Sequence, residues 1–233
     1  MTVDQDVQVT SCVNDQGAVA DGGIIEIHPL KATFDKMVVL LVIVVLSPLL
    51  LLIALAIKFN GLLHSEDQGP VIYKEARVSQ GRIFDLYKFR VLKTAVIEAA
   101  WHEKGCHHAK PLERCEDSQT RVGRWLQRWY LDEVPQVFNI LQGDMSLVGP
   151  RPWPVSQYRE ELARGIYRKQ LLRPGLTGLV QVHKDELGAM GGDRALDETY
   201  IEACQTLSPI QLLLFDLRVI ADTFRILAKG QGL

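Results

Sequence analysis

Leu131-Asp-Glu-Val-Pro-Gln-Val-Phe-Asn-Ile-Leu-Gln-Gly-Asp-Met-Ser-Leu-Val-Gly-Pro-Arg-Pro152 is the stretch around which this chain organises itself. Asp132 and Glu133 are adjacent acids just ahead of Pro135, which is tolerated in the first turn of a helix but not in its interior. A helix is therefore expected to begin at about Asp132. Val134, Val137, Phe138 and Leu141 would supply its apolar stripe, and Gly143 a left-handed terminator. At the start of such a helix the positive end of the dipole and free N–H groups favour an ionised carboxylate or an anionic ligand. Aspartate is also a preferred helix cap, so Asp132 reads as a cap, as a chemical group, or as both. At the far end Arg151 stands between Pro150 and Pro152, whose fixed φ holds the segment extended and presents a preorganised fork for phosphate.

The chain has 233 residues, enough for one compact domain and a membrane element, and 47% of them are hydrophobic. A net charge of −2 argues against a general polyanion binder, so no nucleic acid is expected as a partner. Cys12, Cys106, Cys115 and Cys204 have no disulfide-framework spacing, as is usual for a reducing compartment.

Residues 1–28 carry Asp4, Asp6, Asp15, Asp21 and Glu26 and no Lys or Arg, and are expected to form a loose tail. Residues 29–60 form the membrane-inserted element. Within it, Met37 to Ile57 is an apolar block interrupted only by Ser47-Pro48 and flanked by Lys36 and Lys58. At ~1.5 Å per residue a straight helix of this length would cross a ~30 Å hydrocarbon core, so hydropathy alone suggests an ordinary spanning anchor. The rival is a re-entrant helix broken at Ser47-Pro48, with the Ser47 hydroxyl serving a carbonyl that Pro48 leaves unpaired.

Residues 61–233 read as the folded domain that follows the membrane element. Val71 to Val78 and Ile83 to Phe89 form a β-hairpin around Ser79-Gln80-Gly81-Arg82, which places Lys88 and Arg90 on one face. Residues 95–118 are expected to form a mobile loop; Cys106, His107 and His108 within it match no common zinc spacing. From Thr120 to Tyr130, Arg121, Arg124 and Arg128 recur on one helical face, and Val122, Trp125 and Trp129 on another. The tryptophans suit either a core or the lipid headgroup level. If the helix continued, Arg128 and Asp132 would be an i, i+4 pair. Arg173-Pro174-Gly175 reads as a tight turn, and Gly178 permits close backbone approach. Pro209 to Lys229 is apolar but too often charged to span a membrane, and is expected to be amphipathic.

The opening stretch resembles the signature of the monotopic phosphoglycosyl transferases, bacterial membrane enzymes that move a sugar phosphate from a nucleotide sugar to a polyprenol phosphate. Gly69-Pro70-Val71 followed by Arg77, Tyr87-Lys88-Phe89-Arg90, Thr120-Arg121-Val122-Gly123-Arg124 and Arg173-Pro174-Gly175-Leu176-Thr177-Gly178 fall in the family's order. The resemblance implies a single small mixed α/β catalytic domain with a β-hairpin, amphipathic interfacial helices and an N-terminal membrane-inserted re-entrant helix. It implies a UDP-sugar donor, a polyprenol phosphate acceptor and a phospholipid membrane as partners, with a homodimer left open. Localisation would be the bacterial inner membrane, with the domain on the cytoplasmic face. Asp132 would attack the donor's β-phosphate and hold Mg²⁺, and Glu133 would assist as base or metal neighbour. Arg151, Arg173, Arg128, Lys88 and Arg90 would bind phosphate or nucleotide. The alternatives from other classes are a membrane-docked scaffold for anionic lipid and a UDP-sugar phosphohydrolase.

Overall fold

The computed structural model describes residues 23–104 and 115–228. Its first helix, α1, runs from Pro29 to Leu63. His28 begins it, with Nδ1 accepting from the Leu30 N–H at 3.2 Å, and Pro29 takes a first-turn position where no N–H is needed. The expected break at Ser47-Pro48 does not interrupt the helix. Pro48 cannot donate to the Val44 carbonyl, but the Ser47 hydroxyl does, at 2.8 Å, so the turn keeps its hydrogen bond.

Both halves of α1 pack on the same body. Its first half contributes Val39, with Phe34, Val38, Val42 and Ile43 alongside, to a core built with Leu86, Ile140, Val148 and Val219. Its second half contributes Ile53 and Ile57 to a second core with Phe89 and Leu126. Between these contacts α1 leaves Met37, Leu40, Leu41, Val44, Val45, Leu51, Leu52, Leu55 and Phe59 exposed, a continuous apolar ridge at helical spacing. The polar anchor lies in its first turns. Lys31, buried, sits 2.5 Å from Asp216 and 3.5 Å from Asp35. Asp35 accepts from the Ser146 hydroxyl and the Leu147 N–H, and the Tyr200 hydroxyl donates to Asp216 at 2.9 Å.

Strands β1 (Ile72–Ser79) and β2 (Arg82–Phe89) form the expected hairpin. Its turn is tighter than the sequence suggested: only Gln80 and Gly81 are unpaired, with φ of 48° and 78°, the primed geometry that suits strand twist. After α2 (Thr94–Lys104), α3 (Arg121–Arg128) and α4 (Gln136–Gln142) come β3 (Ser146–Val148) and β4 (Trp153–Pro154). β4 pairs antiparallel with the free edge of β1, giving the order β2-β1-β4. Helices α5 (Val155–Ala163) and α6 (Arg168–Leu171) lead to β5 (Gly175–Thr177), which pairs in parallel with β3. Gly178 lies against this pair: a Cβ there would meet the Gly149 carbonyl oxygen at 2.1 Å, the close approach its sequence position suggested. Helices α7 (Leu179–Val182), α8 (Gly192–Thr206) and α9 (Pro209–Ala228) complete the fold.

Two boundaries read from the sequence are corrected, and one open alternative is narrowed. The loose tail ends earlier than residue 28, because Ile25 packs on the core and its N–H donates to the Leu171 carbonyl at 2.8 Å. The loop expected over 95–118 begins as helix α2; Cys106, His107 and His108 lie outside the described residues. Trp125 and Trp129 are not core residues, being 50% and 62% exposed, and Trp125 shares a groove with Leu49, Leu52 and Ile53 of α1. A C-terminal helix forms as α9, burying Leu212, Asp216, Val219 and Thr223 and exposing Ile210, Leu214, Leu217 and Phe224.

Candidate active site

The acid pair sits on a single 3₁₀ turn, Leu131–Glu133, and not at the start of an α-helix. Tyr130 adopts φ 55°, ψ 20°, which stops α3 at Arg128 and re-aims the chain before α4 starts beyond Pro135. The expected Arg128–Asp132 pairing along one helix is therefore absent. Arg128 ends α3 exposed. Gly143 does terminate α4, at φ 88°.

What fixes the acids against the sheet is a residue the sequence reading passed over. Asn139 on α4 is fully buried; its Nδ2 donates to the Asp85 carbonyl at 2.7 Å and its Oδ1 accepts from the Tyr87 N–H at 3.0 Å. The outer edge of β2 is thus completed by a side chain from the helix that follows the acids.

Asp132 is 4% exposed and shares a small pocket with Tyr73, Lys88, Phe89 and Ile97. Glu133 is half-buried and faces a larger cleft of about 590 Å³, lined also by Arg77, Lys88, Gln136, Arg151 and Gln181. Lys88 lines both spaces, its Nζ 3.7 Å from Glu133 Oε1 and 3.9 Å from Glu75 Oε2. Glu75 in turn lies 2.8 Å from Arg77 Nη2. Charge alternates along this line, so the buried Glu75 holds two cations beside the acid pair. Burial pulls the Arg77 pKa below its usual value, and Glu75 opposes that shift.

Arg151 reaches the cleft because β4 pairs with β1, matching Arg77 with Pro154 and Val78 with Trp153. Behind it is a buried ionic cluster. Arg168 pairs with Glu161 and Asp197, each at 2.6 Å, and Lys169 pairs with Asp197 at 2.7 Å. Both cations lie 4.7 Å from the Trp153 ring, and Lys169 Nζ is 3.4 Å from the Arg151 carbonyl. Burial depresses the Lys169 pKa and raises that of Asp197.

The fold therefore joins Asp132 to Lys88 in one small pocket and Glu133, Lys88 and Arg151 on the cleft beside it, and adds Arg77, Gln136 and Gln181 to the cleft lining with Glu75 paired to its cations, none of which spacing alone singled out. Three expected phosphate ligands do not line this cleft: Arg128 at the end of α3, Arg90 and Arg173. Arg90 is 1% exposed, and its Nε, Nη1 and Nη2 donate to the carbonyls of Pro70, Leu92 and Asp67 at 2.8, 3.0 and 2.6 Å. It shares strand parity with Lys88 but lies just past the end of β2, where unpaired carbonyls collect it. Arg173 lines a different cavity, of about 370 Å³, with Lys31, Tyr200 and Cys204, and its Nε is 3.4 Å from Gln80 Oε1.

No cluster of three His, Cys, Asp or Glu able to hold a metal occurs among the described residues. The donor set at the site, Asp132 with Glu133 beside it, fits a hard cation that takes one or two carboxylates and completes its shell with water and substrate phosphates.

The profile of the family described as "Bacterial sugar transferase" matches residues 27–230. The chain is 35% identical over 198 residues to the UDP-glucose:undecaprenyl-phosphate glucose-1-phosphate transferase of Caulobacter vibrioides, covering 83% of this chain and 67% of that protein. It is 35% identical over 159 residues to the undecaprenyl-phosphate glucose phosphotransferase of Komagataeibacter xylinus, covering 66% of this chain and 27% of that one. To the UDP-N-acetylgalactosamine-undecaprenyl-phosphate N-acetylgalactosaminephosphotransferase of Aeromonas hydrophila it is 32% identical over 209 residues, covering 87% and 44%. The chain thus spans about a quarter and under half of the length of two of these relatives and two thirds of the third. The match over nearly all of the described residues, with the acid pair and Pro-Arg-Pro segment inside it, shows that this chain belongs to the bacterial sugar transferase family.

Proposed function

We propose that this protein transfers a sugar phosphate from a UDP-sugar to a polyprenol phosphate, starting a bacterial surface glycan at the cytoplasmic face of the inner membrane. The observation that carries this reading is a buried aspartate sharing a small pocket with Lys88, which together with the adjacent Glu133 also lines a cleft holding Arg77, Arg151 and Arg164, on a body that also holds an apolar helix along its side. The names of the relatives, which act on undecaprenyl phosphate, supply the acceptor class. Those names differ in the sugar, glucose in two and N-acetylgalactosamine in another, so the donor is defined here only as a UDP-sugar.

In the first step an Asp132 carboxylate oxygen attacks the β-phosphorus of the donor. The bond from that phosphorus to the bridging oxygen breaks, its electron pair leaves with UMP, and the sugar phosphate remains as an acyl phosphate on Asp132. In the second step a phosphate oxygen of the polyprenol phosphate attacks the same phosphorus, and Asp132 leaves as carboxylate. Lys88 and Arg151 lower the repulsion between anionic nucleophile and anionic substrate, and Glu133 orients Lys88 and receives a proton if the acceptor arrives protonated. Mg²⁺, held by Asp132 with Glu133 adjacent, would neutralise diphosphate charge when bound.

The membrane reading rests on α1. A helix from Pro29 to Leu63 is about 50 Å long, well beyond the hydrocarbon core, yet its two halves pack on two cores of one domain. This supports a helix that enters lipid by its exposed ridge with both ends on one face, the monotopic arrangement. Trp125, beside that ridge, and the exposed Trp129 suit the headgroup level.

Purified protein given a panel of UDP-sugars, Mg²⁺ and polyprenol phosphate should turn over UMP continuously only when the acceptor is present, and without it UMP release should stop at about one equivalent per protein. With acceptor withheld, intact mass should reveal a phosphosugar adduct lost in Asp132→Asn, and that variant should keep its fold while losing turnover. Near-normal turnover by Asp132→Asn would overturn the covalent mechanism, and multiple-turnover UMP release without acceptor would convert the reading to hydrolysis.

A further inference from the structure

Two buried side chains in the cleft carry hydrogen-bonding atoms that the described residues leave unused. Arg77 is 5% exposed and pairs with Glu75 through Nη2, but its Nε and Nη1 have no hydrogen-bond partner among the described residues. Gln181 is 6% exposed, lines the same cleft, and its Oε1 is likewise unpartnered. Buried polar atoms are rarely left this way, because each forfeits its hydration without a replacement, and where they occur in a cleft a ligand is the natural complement.

The chemistry of the two positions differs. Arg77 offers one N–H from Nε and two from Nη1, which do not all lie on one edge of the guanidinium, so several acceptor oxygens spread over more than one centre satisfy it better than a single carboxylate. A diphosphate has that form. Gln181 Oε1 only accepts, so it repels a phosphate oxygen and selects a hydroxyl or amide N–H. One molecule supplies both: a nucleoside diphosphate sugar. Glu75 aims the arginine, and the β1–β4 pairing sets Arg151 on the same cleft.

We propose that Arg77 grips the diphosphate of the nucleotide-sugar donor and that Gln181 accepts a hydrogen bond from a hydroxyl or N–H of the same molecule, making it a selectivity contact. This assignment rests on the transferase reading. It adds two ligands outside the acid pair and the Pro-Arg-Pro segment, and it assigns the diphosphate to Arg77 in place of Arg90 or Arg173.

The test is isothermal titration of the full chain in detergent, as wild type, Arg77→Lys, Arg77→Gln and Gln181→Met, each first checked for wild-type melting behaviour. The probes are inorganic pyrophosphate and whichever of UDP-glucose, UDP-galactose and UDP-N-acetylgalactosamine the wild type binds most tightly. Arg77→Lys and Arg77→Gln should weaken both probes by about ten- to a hundredfold, the range for losing hydrogen bonds to a charged group. Gln181→Met should weaken the UDP-sugar by about tenfold and leave pyrophosphate unchanged. Folded Arg77 variants with wild-type affinity for both probes overturn the diphosphate assignment, and Gln181→Met with wild-type UDP-sugar affinity overturns the selectivity contact. If neither Arg77 variant folds, Gln181→Met decides, since loss of UDP-sugar affinity with pyrophosphate retained requires a ligand spanning both positions. A wild type that transfers sugar phosphate while the variants bind normally refutes this assignment alone. A wild type that binds no UDP-sugar refutes the transferase reading together with it.

Discussion

At the scale of single residues, Arg77 and Arg90 set the clearest contrast. Arg77 lies on β1 and Arg90 one residue past the end of β2, with the same strand parity, and the sequence presents both as basic residues in a β-hairpin. Arg90 spends its whole guanidinium on three backbone carbonyls, whereas Arg77 keeps two nitrogens unused in the cleft. Arg90→Met should therefore destabilise the fold, by about 3 kcal/mol if most of the three carbonyls lose their donor. Chemical denaturation in detergent checks this, and UDP-sugar affinity in the remaining folded fraction should be unchanged. Cys204 makes a second residue-scale case. It lies half-buried beside the Lys31–Asp216 pair, and burial pushes its thiol up to about 11. The thiolate is the reactive form, so at pH 8 Cys204 should react with a maleimide far more slowly than the exposed Cys115, with its rate climbing as pH rises toward 11. Equal rates at pH 8, resolved by peptide mass analysis, would contradict this.

At the scale of elements, the first turns of α1 are held by charge and the rest by apolar packing. Lys31 is the hinge of that anchor, bridging Asp35 on its own helix to Asp216 on α9, with Tyr200 of α8 and Ser146 of β3 completing the set. Removing one member leaves carboxylates buried without their cation. Lys31→Ala should cost about 3–5 kcal/mol, read as a lowered midpoint of denaturation. The loss should be most visible as early proteolysis near α1 and α9. If Lys31→Ala melts as the wild type does, α1 is held by its apolar contacts alone. The ionic cluster of Arg168, Lys169 and Asp197 serves the same purpose behind Trp153, backing the segment that carries Arg151.

At the scale of the whole molecule, the question is on which side of the membrane each end of α1 emerges. Both halves touch one domain, so the residues before α1 and the catalytic cleft should share a compartment. Cys12 precedes the helix and lies outside the described residues, and Cys115 follows it on the domain. A membrane-impermeant thiol reagent should label neither in intact cells and both after permeabilisation. Labelling of Cys12 alone from outside would establish a spanning helix while leaving the active-site assignment standing.

The chain by itself determined what depends on local order. The apolar block of α1, the hairpin of β1 and β2, the left-handed Gly143, the acid pair and the proline-framed Arg151 are each written in a few consecutive residues, because periodicity, fixed φ and missing N–H groups act over one or two turns. Tertiary structure alone decided which cations meet the acids. Local reading extended the arginine stripe of α3 to Asp132, but Tyr130 takes a left-handed conformation between them and turns the chain away. It passed over Asn139, whose importance appears only when α4 lies against the edge of β2. It grouped Arg90 with Lys88 by alternation, although carbonyls from Asp67, Pro70 and Leu92 surround one and carboxylates from Glu75 and Glu133 face the other. Those surroundings come from segments far apart in the chain, and an arginine is committed to whichever acceptors the completed fold puts within reach.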